Sequence, residues 1–342
     1  MKAMVLNKLC NLNDNYSPIM LQDITEPVPN DNELLIKITR CGVCHTELDE
    51  IEGRIPPAFF PVVLGHQVIG RVKETGKNIS RFKIDDRVGI GWKYSSCGKC
   101  EYCISGNDNL CPDFKATGRD KNGGYEELMT VDENSAFMIP EVFSDSEAAP
   151  LLCAGAIGYR SLKLSNLKEG QNLGLTGFGA SAHLVLKLVK YKFPDVKIFV
   201  FARSETEREF AKQLGAVWSG DTLTKSPEKL NCIIDTTPVW TTVVEALYNL
   251  KPGGRLVINA IRKEEIDKNY LANIDYTKHI WMEKEIKSVA NVSSSDIEEF
   301  LNIAGKIQIK PEYQEYALED ANTAIIELKQ RKIRGAKVLV VE

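Results

Sequence analysis

From Gly170 onward, short apolar runs alternate with segments whose apolar residues recur at helical spacing. In GQNLGLTGFGASAHLVLKLVKY (170 to 191) a short apolar strand runs into a glycine-rich turn, after which Leu184, Val185, Leu188 and Val189 line one face of a helix. VKIFVFA (196 to 202) reads as a second strand and SETEREFAKQLGA (204 to 216) as a helix. NCIIDTT (231 to 237) reads as another strand, and WTTVVEALYNLKPGGRLVIN (240 to 259) as a helix followed by a strand. This alternation predicts an α/β fold with a doubly wound parallel sheet.

The first strand-to-helix turn carries candidate chemistry. Gly177, Gly179 and Ala182 fit G-x-G-x-x-A, in which glycines let the backbone approach a pyrophosphate at the helix N-terminus, with Phe178 and Ala180 in the same turn. Alone, such a fingerprint can be a tight packing turn; the strands and helices that follow favour the Rossmann reading. A dinucleotide site that selects NAD places an acidic residue ~20 positions beyond the turn, at the end of the second strand. That position falls on Ala202, followed by Arg203 and Ser204. An uncharged residue removes the repulsion of a 2′-phosphate, and Arg203 with the Ser204 hydroxyl offers charge-assisted hydrogen bonds to one. NADP(H) is therefore the expected preference, with NAD(H) the alternative.

Composition sets the frame for these elements. With 342 residues the chain suits two domains, and 43% hydrophobic residues supply sizeable cores. A formal net charge of −4 gives no electrostatic footprint for nucleic acid or an anionic membrane. The first residues lack the apolar core of a signal peptide, and no apolar run has transmembrane length, so a cytoplasmic protein is expected. In that reducing compartment, nine cysteines favour metal binding over disulfides.

Four of them, Cys97, Cys100, Cys103 and Cys111, form C-x2-C-x2-C-x7-C in a polar stretch. That spacing can supply four thiolates to one tetrahedral zinc ion with no open position, a structural site. An iron–sulfur cluster is the weaker alternative, because the usual C-x3-C-P arrangement is missing, Cys111-Pro112 following after seven residues, and there is no second run. Other ligand-type residues are dispersed: Cys44 and His45 in CGVCHTEL, His66 in LGHQVIG and Cys153 in PLLCAGA. Each alone is weak. Together, two cysteines and a histidine would make the three-ligand zinc site that keeps a fourth position for substrate oxygen.

The chain resembles the zinc-containing medium-chain alcohol dehydrogenases in GVCHTEL, GHQVIG, the four-cysteine lobe, NGGYEELMTV, the Rossmann turn and KIRGAKVLV. The resemblance spans nearly the whole chain. It implies a discontinuous, mainly β, barrel-like (GroES-like) catalytic domain over 1–150 and 289–342, with a Rossmann domain over 151–288. It assigns Cys44, His66 and Cys153 to a catalytic zinc and the four-cysteine lobe to a structural one, two ions per chain; Cys41 stays unassigned. It also implies that His45 and Arg334 contact cofactor pyrophosphate, that Thr46 hydrogen-bonds the alcohol and starts a proton relay, and that Trp92 walls the substrate pocket. Three positions depart from the family pattern: Glu47 for the usual Asp, Gln67 for the usual Glu, and Asp49 where a His often ends the relay. Asp49 can itself accept a proton. The implied activity is interconversion of an alcohol and an aldehyde or ketone by hydride transfer, in a tetramer or dimer. The rival class is a non-catalytic nucleotide-binding or interaction protein that keeps the fold, and the intact ligand set argues against it.

Overall fold

A computed structural model describes residues 1–330 and 335–342. Arg334, read above as a pyrophosphate contact, lies outside the described residues. The chain divides into two compact units, Met1–Cys153 with Ser293–Glu342, and Ala154–Val292. No helix among the described residues is long and apolar enough to cross a membrane.

The first unit is built on the strand Glu33–Val43. Its Leu34, Ile36 and Ile38 are fully buried, and side chains of this size each contribute roughly 1.5–3 kcal/mol when removed from water. This strand pairs antiparallel with Gln67–Thr75, Leu128–Asp132 and Ala336–Val340. The last pairing, Val338 opposite Gly42 and Leu339 opposite Cys41, gives the two-part unit its physical reason. The C-terminal strand completes a seven-stranded sheet begun by the N-terminal half.

The second unit has a six-stranded parallel sheet. Asn172–Thr176, Lys197–Phe201, Trp218–Gly220, Leu230–Asp235, Leu250–Ile258 and Glu285–Ser288 stand in the order third, second, first, fourth, fifth, sixth. That is the doubly wound order, with its switch point between the first and fourth strands. The helices Ala180–Lys192, Glu205–Gln213 and Trp240–Asn249 occupy the segments expected from the apolar spacing, the first running one residue past its expected end. Phe199, Phe201, Ile233, Leu247 and Leu256 form one buried cluster between sheet and helix.

Candidate metal centre and active site

Cys44 directly precedes the helix His45–Ile51, His66 precedes the strand Gln67–Thr75, and Cys153 closes the 3-10 turn Ala149–Leu152. The fold brings these separate segments together within the first unit. Cys44 Sγ lies 3.9 Å from Cys153 Sγ, His66 Nε2 lies 3.4 Å from Cys153 Sγ, and all three ligand atoms fall within 4.8 Å of one another. Ligands bound tetrahedrally to zinc at ordinary lengths stand about 3.5–3.8 Å apart, so the donor set fits that ion in both chemistry and spacing.

Gly65 explains how His66 reaches this position. Its φ is +97°, and a Cβ there would come 2.4 Å from the Tyr125 ring and 2.9 Å from Cys41 Sγ. A left-handed residue with no room for a side chain has to be glycine. Cys41 is thereby placed as a buried packing residue beneath the turn, and burial pushes its thiol pKa well up.

Glu47 links two of the three ligand positions. One carboxylate oxygen accepts a hydrogen bond from the Cys44 backbone N–H at 2.7 Å, and the other lies 2.7 Å from His66 Nδ1. A carboxylate at Nδ1 favours a proton there and leaves the Nε2 lone pair for a metal. Burial is the largest influence on His66 and lowers its pKa, but Glu47 and Cys44 outweigh it and hold it well above the ordinary value. The Cys44 thiol is lowered by a hydrogen bond with Cys153 and by His66, while Cys153 is raised by the same partner and by burial. The pair thus shares one readily lost proton.

Thr46 is nearly buried, with its hydroxyl 3.7 Å from Cys44 Sγ, whereas His45 is exposed at the start of the helix. Asp49 is buried and paired with Arg54 Nε at 2.6 Å. Gln67 packs against Gly42, where any Cβ would come 2.9 Å from it. The Trp92 ring stacks at a tilt on Phe114, and its buried indole nitrogen faces Glu50. Glu50, one turn beyond Glu47, has both carboxyl oxygens buried; burial, then Glu47, pushes its pKa well above the carboxylate range, with the Trp92 indole as a weak opposing partner. No local pattern in the sequence marks Glu50.

The four-cysteine lobe gathers all its sulfurs within 4.8 Å, with Cys97 Sγ 3.9 Å from Cys103 Sγ. Backbone N–H groups point at the sulfurs: Cys100 N–H to Cys97 at 3.3 Å and Cys97 N–H to Cys111 at 3.4 Å. Backbone donors from Lys99 and Cys100 bring the Cys97 thiol down to about 6, while burial raises Cys111 to about 12. Asp108, inside the lobe, anchors it: its carboxylate takes Lys93 Nζ at 2.5 Å and the Ser294 backbone N–H at 3.0 Å.

In the second unit Gly177, at φ +76°, turns the chain from its strand into the helix that Gly179 caps, and Ala182 is fully buried behind the turn. Phe178 is buried edge-on against Phe210, and Ala180 opens the helix. Ala202 is buried, while Arg203 and Ser204 are exposed ahead of the next helix. Sequence reasoning missed Arg208, one turn into that helix, which donates to the Ala202 and Arg203 carbonyls at 2.9 and 2.7 Å. It also missed Asp235 at the end of the fourth strand of the doubly wound order, fully buried with Thr176 Oγ1 at 2.5 Å and paired with Lys263. A charged residue following SETE and an Asp ending an apolar strand were the available signals.

Comparison with known proteins follows the geometry. The alcohol dehydrogenase GroES-like domain family matches residues 30–141. A probable alcohol dehydrogenase of Mycobacterium tuberculosis, AdhA, is 39% identical over 92% of this chain and 90% of its own length. An alcohol dehydrogenase of Geobacillus stearothermophilus is 30% identical over 95% and 97%. Among solved structures, a cinnamyl alcohol dehydrogenase of Sorghum bicolor superposes with a TM-score of 0.85 at 26% identity, covering 99% of this chain and 97% of that one. Fold, ligand geometry and these relatives agree: the chain belongs to the zinc-containing medium-chain alcohol dehydrogenase family.

Proposed function

We propose that Cys44, His66 and Cys153 hold a catalytic zinc ion in a site with one open position, and that Cys97, Cys100, Cys103 and Cys111 hold a second, structural ion. The chain is an oxidoreductase that interconverts an alcohol and an aldehyde or ketone with a nicotinamide cofactor. The observation that carries the reading is the convergence of three and only three such donors among the described residues, beside a second group of four. When bound, zinc supplies Lewis-acid polarisation of the substrate oxygen, and the nicotinamide supplies the hydride acceptor or donor.

The protein's own groups do the rest. Glu47 fixes the ring of His66 and the backbone of Cys44, so that two ligand positions are held before any ion arrives. The Thr46 hydroxyl, next to Cys44, accepts the alcohol proton by hydrogen bond and returns it in the reverse direction. Asp49, paired with Arg54, is the outer acceptor of that relay. The Gly177–Ala180 turn presents backbone N–H groups to the cofactor pyrophosphate, with His45 and Arg334 as further contacts, and Trp92 walls the substrate pocket.

For cofactor choice, Ala202, Arg203 and Ser204 form a 2′-phosphate site in place of an acidic residue, which supports NADP(H) over NAD(H). Arg208 keeps that loop in place through two carbonyls. The reading extends to a catalytic unit expected over 1–150 and 289–342, which must reach Cys153, the end of the first compact segment, to carry the catalytic zinc, a dinucleotide-binding unit over the chain between, a cytoplasmic protein, and a tetramer or dimer, which light scattering measures directly.

The test is a screen of alcohols and carbonyl compounds with both cofactors on the zinc-loaded protein. We expect turnover with a higher kcat/KM for NADP(H), and Arg203→Ala to cut kcat/KM with NADP(H) by about tenfold or more while sparing NAD(H). Equal or better kcat/KM with NAD(H) in the unmodified enzyme refutes the cofactor assignment, and no turnover with either cofactor refutes the function.

A further inference from the structure

Away from both cysteine clusters, the first unit has a cleft of about 290 Å³ bordered by the N-terminal segment and the strand Leu128–Asp132. Glu126 lines it. The residue is 1% exposed, and its Oε2 is buried with no hydrogen-bond partner among the described residues. Buried polar atoms are nearly always paired, so an unpaired carboxyl oxygen on a cleft calls for a partner that arrives from outside.

The chemistry around Glu126 identifies that partner. Glu33 borders the same cleft, but its carboxylate is already used, accepting from Tyr94 Oη at 2.7 Å and from the Asn30 backbone and side chain at 3.0 and 2.9 Å. Burial raises the Tyr94 phenol most; the Thr130 hydroxyl lowers it, and Glu33 and Asp132 raise it further. Two cations border the cleft, and neither pairs with Glu126. The N-terminal ammonium donates to the Ile24 carbonyl at 2.9 Å, and Lys121 Nζ sits 5.7 Å from the Tyr94 ring centroid. The second contact shows a ring face that accepts an ammonium. Val28, 83% exposed, and Phe59 give the cleft an apolar lip.

We propose that this cleft is a second small-molecule site, and that it takes an organic ammonium ion with a short apolar stem, the ammonium on Glu126 and the stem against Val28 and Phe59. Burial holds the free Glu126 carboxyl well above the usual range. The incoming cation therefore displaces a proton: an alkylammonium and a carboxylic acid become an ammonium–carboxylate pair plus one released proton. Affinity rises with pH until the amine itself deprotonates, with Glu33, Asp132, Tyr94, Lys121 and the N-terminal ammonium as the neighbouring charges.

The experiment is calorimetric titration of the full chain with n-butylammonium chloride in two mildly alkaline buffers of different ionisation enthalpy, with butyramide and potassium chloride as controls. The expected result is saturable binding of n-butylammonium alone, with proton release. Glu126→Gln, which keeps the side-chain shape, should weaken binding by at least about tenfold. Val28→Trp, at an exposed position where folding is not at risk, should also block it, and both variants should keep the kcat/KM of the alcohol reaction. Cys44→Ser should leave the binding unchanged, which separates this cleft from the metal centre. No saturable binding, equal binding of butyramide, or unchanged affinity in Glu126→Gln overturns the proposal.

Discussion

Cys97, Cys100, Cys103 and Cys111 come from one fifteen-residue lobe near the surface, whereas Cys44 and Cys153 are 109 positions apart and meet His66 in the interior. In the lobe the backbone itself solvates sulfur: N–H groups of Lys99 and Cys100 are the largest of the influences that bring Cys97 to about 6. In the interior no such loop is available, and carboxylates take its place, with Glu47 bridging a ligand's backbone and a ligand's ring. Four thiolates close a tetrahedron; two sulfurs and an imidazole leave it open. The difference teaches that donor count separates bracing from chemistry, and that the surroundings set how each site responds to change.

Four outcomes sharpen or break that contrast. The largest is expected for Cys44→Ser, which should lower kcat by about 10³-fold, a loss matching the several kcal/mol that a Lewis acid supplies, with the circular dichroism spectrum unchanged. Retained turnover would break the assignment of the open site. Next, Cys100→Ala should cost roughly 5–10 °C in Tm while kcat of the folded fraction stays near that of the parent, because a structural ion contributes folding energy. A variant that melts with the parent would show that the lobe braces nothing. Third, Glu47→Gln removes the charge facing His66 Nδ1 and should weaken zinc at the interior site by about 10–100-fold, read by competition with a chelator, without affecting the lobe. The smallest effect is in protons. At pH 7 the metal-free lobe holds Cys97, at about 6, mostly as thiolate and Cys111, at about 12, as thiol. Zinc uptake must therefore release protons, and affinity should fall as pH drops; heats independent of buffer ionisation would contradict this.

The same contrast explains what was legible beforehand. The lobe could be read directly because its spacing is local and survives any tertiary arrangement. The βαβ segments from Asn172 to Ile258 were legible because apolar periodicity is local as well. Cys44, His66 and Cys153 were individually weak and gained meaning through family resemblance. Glu47 stood out only as a departure from the usual Asp, yet its longer side chain spans from the Cys44 N–H to His66. Glu50 and Glu126 carried no local signal, and Arg208 and Asp235 only faint ones, since each matters through its contacts or its burial. Asp49 read as a residue able to accept a proton, and its pairing with Arg54, five residues on, was not legible.

The central claim is that one chain holds two zinc ions in two kinds of site, and elemental analysis of freshly purified, chelator-free protein tests it most directly. The account predicts two zinc ions per chain, since both donor sets match the ion in number and spacing. One ion or fewer per folded chain would contradict it.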